Sequence, residues 1–123
     1  MQPWIKVVDA LGHEVADAQS WSLFGGRGEA RVFGDWISEA VAGNETLAGL
    51  WRAARAAQGG AVRIGAADLA RLCATLRHAL DAGGDVEGVE PDLLDQFGAF
   101  VDVAERLLVH LRSHPDHDAA LGL

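Results

Sequence analysis

At 123 residues the chain is long enough for one domain with a single hydrophobic core. Half of its residues are apolar and 23% are charged, which excludes a disordered polyelectrolyte. The net charge of −8 argues against nucleic acid as a direct partner, and no apolar run approaches the roughly 18–20 residues that span a bilayer.

The N-terminus, Met1-Gln2-Pro3-Trp4-Ile5-Lys6, lacks a basic region followed by an apolar run, and the single cysteine, Cys73, has no internal disulfide partner. A cytoplasmic protein is therefore expected, and the arginine-, alanine- and glycine-rich composition suggests a bacterial one. Charge is unevenly placed. Residues 78–123 carry ten acidic and two basic side chains, a net of −8 that equals the charge of the whole chain.

In chain order, Trp4-Ile5-Lys6-Val7-Val8 reads as a short strand, rich in β-branched and aromatic residues. Ser20 to Phe33, interrupted by Gly25-Gly26-Arg27-Gly28, reads as a hairpin around a glycine-rich turn, followed by a short helix from Trp36 with Asp35 as its cap. The competing reading makes Phe33, Trp36, Ile37, Ala40 and Val41 the stripe of one helix. Asn44 is placed to cap a helix carrying Leu47, Leu50, Trp51 and Ala54 on one face, ended by Gly59-Gly60. Val62-Arg63-Ile64 is a candidate short strand that joins the N-terminal sheet. Asp68 is placed to cap a helix bearing Leu69, Leu72, Cys73, Leu76, Ala79 and Leu80, stopped by Gly83-Gly84.

The last helix has the clearest pattern. Pro91 suits a first helical position, and Asp92 and Asp95 suit the positive end of the dipole. Leu93, Phe97, Phe100, Val101, Ala104, Leu107, Leu108 and Leu111 then share one broad face, wide enough for a core. Pro115 ends it. Together these elements predict an α+β fold, mainly α, with three or four helices packed on a small N-terminal antiparallel sheet; an all-α bundle is the alternative. Residues 1–123 form a single domain on this reading, with 1–34 a small β region, 35–112 helical and 113–123 a C-terminal tail.

Several constellations invite chemistry. Between Asp81 and Glu105 the chain holds eight carboxylates and no lysine or arginine. Asp92, Asp95, Asp102 and Glu105 fall opposite the apolar stripe, and with Glu87 and Glu90 they make a candidate docking surface for a basic protein partner. A calcium loop starting at Asp81 fails, because Val86 stands where glycine is required and Asp92 where a glutamate is. His110 and His114 have i, i+4 spacing and lie near Asp116, His117 and Asp118, but Pro115 assigns the later three to the tail, so no metal centre is expected. Cys73 falls on an apolar face away from His78, which suits a buried thiol rather than a nucleophile. Gly25-Gly26-Arg27-Gly28 reads as a turn, since Arg31 breaks the dinucleotide fingerprint.

Four tryptophans, Trp4, Trp21, Trp36 and Trp51, stand in the first half of a chain with no tyrosine. Trp21, Phe24, Phe33 and Trp36 are candidate lining for a small-ligand pocket, with His13, Asp35 or Glu39 as its polar groups. In size, acidity and lack of catalytic motifs the chain is similar to bacterial immunity and antitoxin-type inhibitors, a likeness of composition that no motif carries. The leading expectation is a non-enzymatic acidic binding protein that docks a protein partner. A small-ligand-binding protein or small enzyme, and a homo-oligomeric structural module, are the alternatives. No catalytic residue, cofactor, nucleic-acid partner or membrane partner is assigned.

Overall fold

The computed structural model describes residues 3–15, 18–23, 27–56, 61–82 and 91–122. In chain order it runs β1 (Trp4–Val8), β2 (Trp21–Ser22), α1 (Arg27–Val41), α2 (Glu45–Ala56), β3 (Ala61–Ile64), α3 (Ala66–Ala82), α4 (Pro91–Ser113) and β4 (Asp118–Gly122). Four helices pack on a small antiparallel sheet ordered β2-β1-β4-β3, the mainly-α α+β class that the sequence predicts. No described helix is long and apolar enough to cross a membrane.

The sheet differs from the expected N-terminal one in its central member. Residues 118–122, which Pro115 assigned to a tail, form β4 and sit between β1 and β3, pairing Ile5 with Leu121 and Ile64 with Ala119. The two faces then sort by register. Ile5, Val7, Leu121, Ala119 and Ile64 point to the helices and are buried. On the other face Lys6 and Arg63 both flank Ala120, and Trp4 lies opposite Gly122. A Cβ built on Gly122 would overlap the Trp4 indole, so only glycine accepts that ring at this place. Strands of small residues carry little pattern of their own, and here the neighbours supply the cover.

At the sheet's end, Asp9 orders the turn that follows β1. Its carboxylate accepts the backbone N–H groups of Leu11 and His13 at 2.9 and 3.0 Å, and Gly12 takes the positive φ of 85° that the turn needs. The N–H of His13 is the main reason that the Asp9 carboxyl sits below the usual carboxylate range.

Residues 27–41 form one helix, which corrects the expected hairpin over 20–33 and the start of a helix at Trp36. The helical stripe runs back past Phe33 to Ala30, and Trp21–Ser22 pairs with β1 instead. Glycine in mid-helix costs about 1 kcal/mol relative to alanine. At Gly34, α1 passes Trp51 and Arg55 of α2 at a distance where a Cβ would also fit, so the packing does not require the glycine. Trp51 Nε1 donates to Ser38 Oγ at 2.7 Å and fixes the same contact. Asn44 caps α2 as its position predicts, Oδ1 accepting from Leu47 N at 3.1 Å. Asp68 is not the cap of α3. That helix starts at Ala66, its first turn closes from Leu69 N to the carbonyl of Gly65, and Asp68 pairs with Arg71. All eight stripe residues of α4 are buried.

Candidate functional site

Docking on the acidic face depends on which carboxylates are left to solvent. Asp92 and Asp95 stand exposed on the first turns of α4, with no basic partner among the described residues. Asp102 and Glu105 lie two turns further on, and there Arg77 of α3 intervenes. Its guanidinium donates to Asp102 Oδ1 at 2.6 Å and to Glu105 Oε1 as well. The two carboxylates hold the Arg77 proton more firmly than usual, the Glu105 hydrogen bond most of all. The four acids are thus not equivalent: the α3–α4 packing neutralises one of the second pair, a compensation from outside the 81–105 segment. Glu87 and Glu90 lie outside the described residues.

The aromatic residues gather into one packed group. Trp36 stacks on Phe97 with centroids 4.6 Å apart, Phe33 meets Phe100 edge to face at 5.1 Å, and Trp21 meets Phe100 at 5.0 Å. Phe33 and Trp36 are buried, and both rings meet Phe97 of α4. Phe24, the fourth residue of the expected aromatic lining, lies outside the described residues. Trp21 does border an open hollow of about 350 Å³ on the outside of the sheet, with Trp4, Lys6, Glu14, Ser20 and Ser22. Lys6 spans it, lying 4.6 Å from the Trp4 ring centroid and 3.8 Å from Glu14.

Cys73 is buried between α3 and α4, and burial pushes its thiol up to about 11, the negative charge of Glu105 adding to the effect. His78 is exposed on the other side of α3. The pair is not assembled. Arg27 and the glycines before it, and the Asp85 and Glu87 of the failed calcium loop, fall outside what is described of side chains.

A further group does assemble. His110 projects from the last turn of α4 and His114 stands just past its end, and a turn closed by His117 N donating to His114 O at 3.0 Å brings His117 back against them. Ring nitrogens of the three lie within 4.8 Å of one another, and the rings stack with interplanar angles of 5–13°. His110 Nε2 and His117 Nδ1 share a hydrogen bond of 2.9 Å.

Compared with protein-family models, with curated proteins and with solved structures, the chain matches none.

The sequence contains all three histidines at readable spacings, yet their meeting depends on β4. Once Asp118 is committed to a central strand, His117 has no freedom to trail into solvent. The missing signal was the strand. Arg77 was likewise visible in the sequence, but its reach across to Asp102 and Glu105 follows from helix packing that periodicity alone does not report.

Proposed function

We propose that the chain is a non-enzymatic binding domain that docks a basic surface of a protein partner, as an inhibitor occupies its target without transforming it. The observation that carries this reading is the pair Asp92 and Asp95, exposed and without a basic partner among the described residues, in a segment that holds no lysine or arginine from Asp81 to Glu105. Glu87 and Glu90 add charge to the same stretch of sequence. Opposite potentials steer encounter, so such a surface acts chiefly on the rate of association. Arg77 shifts the weight of the docking surface toward the start of α4, since Asp102 and Glu105 share one cation there. A soluble cytoplasmic setting fits the composition.

The test compares two paired variants against a partner captured from the native host. Asp92→Asn with Asp95→Asn should slow association and flatten its dependence on salt, with the circular dichroism of the domain unchanged. Asp102→Asn with Glu105→Gln should change association less. Equal rates for the wild type and the first variant would reduce the acidic surface to an ordinary solvated helix face.

A further inference from the structure

We propose that His110, His114 and His117 bind a zinc ion, independently of any docking by the acidic surface. The case begins with spacing. His114 follows the end of α4 one turn after His110, its N–H still bonded to Leu111 O, and the two rings stack at 4.2 Å between centroids. The third ligand needs a chain reversal, and Pro115 provides it where α4 stops. His117 immediately precedes β4, whose Asp118 is paired with Val8 and bonded to Arg63 at 2.9 Å, so the backbone on its far side is anchored.

The nitrogen separations are near what zinc requires, and the rings must turn out of their stack to aim their in-plane lone pairs at one ion. Bonds of about 2.0–2.1 Å to a tetrahedral ion place ligand nitrogens about 3.3–3.4 Å apart. The His110–His117 contact of 2.9 Å opens slightly to admit the ion, and the widest separation, within 4.8 Å, closes by side-chain rotation. The tautomer of His114 is already set. Its Nδ1 lies 3.0 Å from the carbonyl oxygen of His110, and a carbonyl only accepts, so Nδ1 carries the proton and Nε2 presents its lone pair. Zinc-binding histidines are commonly held by this kind of outer hydrogen bond. The Asp9 carboxylate, within electrostatic reach of His117, adds negative charge to the surroundings.

Imidazole nitrogens favour zinc among the common divalent ions over magnesium or calcium, which take oxygen. Three protein ligands leave one position of a tetrahedral ion for water or for a donor from another molecule. His114 is exposed, and a hollow of about 290 Å³ bordered by Gln19, Arg106 and Leu107 opens beside His110. The position is therefore reachable from solvent.

The experiment titrates zinc chloride into the tag-free, chelator-treated full chain by calorimetry, alongside His114→Ala and His117→Ala. The wild type is expected to take up one equivalent with a dissociation constant at or below about 10 µM, and each variant to bind at least about tenfold more weakly. Cobalt in place of zinc should give the intense visible bands of a tetrahedral site. Undiminished affinity in His117→Ala would mean that His110 and His114 alone chelate zinc, and the three-histidine site would fall. Absence of stoichiometric uptake by the wild type would overturn it outright. Both variants change side chains in the turn between α4 and β4, and a retained circular dichroism spectrum ties any loss to the ligands.

Discussion

The Trp4 indole covers Gly122, its register partner across the β1–β4 pairing, so closely that no Cβ fits between them. Because β1 and β4 are the two interior strands, this contact joins the two halves of the sheet. Gly122→Ala should lower stability by about 1–3 kcal/mol, the usual cost of forcing an extra carbon into a filled space. Combining it with Trp4→Leu should cost less than the two changes added together, since the smaller side chain removes the overlap. Urea midpoints of the four proteins check this.

The cap of α2 offers a cleaner local test. Asn44→Ala removes the acceptor for Leu47 N and should cost about 0.5–2 kcal/mol, whereas Asn44→Ser or Asn44→Asp should keep most of the stability. Thermal or urea denaturation reads the difference.

Arg77 joins α3 to α4 through two carboxylates, but all three side chains are more than a third exposed. Solvent screens such pairs, so Arg77→Met should destabilise the domain by no more than about 1 kcal/mol, with the loss shrinking as salt is added. A larger and salt-independent loss would mean that the guanidinium also matters to the packing between the helices.

Cys73 makes a prediction about alkaline pH. Its thiol is raised to about 11 by burial, against 9.0 for an ordinary thiol. The neutral form is the one that the fold favours, so its contribution is complete below pH 9 and fades as pH climbs toward 11. With no tyrosine and one lysine in the chain, few other groups titrate in that window. Replacing Cys73 by alanine should therefore flatten the fall in stability between pH 9 and 11. In the native wild type at pH 8, iodoacetamide should label Cys73 slowly, and denaturant should release the reaction.

How much of this was legible in the sequence varied by element. The α4 stripe from Leu93 to Leu111 is long and strictly periodic, and every member is buried, because a run of five or six turns leaves periodicity little competition. Residues 27–41 misled because Gly28 and Gly34 weaken the helical signal that Phe33, Ile37 and Val41 carry, and because Val32 and Phe33 suit either period. Tertiary packing against Trp51 and Phe97 decided it. Asp118-Ala119-Ala120-Leu121-Gly122 has no β-branched residue and no alternation, so nothing local marks it as a strand. Its identity comes from Trp4, Lys6 and Arg63 on its neighbours. The histidines were visible as a candidate group, but the strand that holds His117 beside the other two, like the Arg77 bridge, depends on contacts between segments far apart in the chain.

The placement of β4 has a consequence for synthesis. A ribosome emits β1 and β3 long before residues 118–122 exist, and β4 is the strand that joins them. Until it emerges, each of the two waits beside an empty slot, with unpaired N–H and C=O groups open to any neighbouring chain. Nascent chains stalled short of residue 118 should therefore be the aggregation-prone and chaperone-bound species, and emergence of residues 118–122 should let the sheet zip shut.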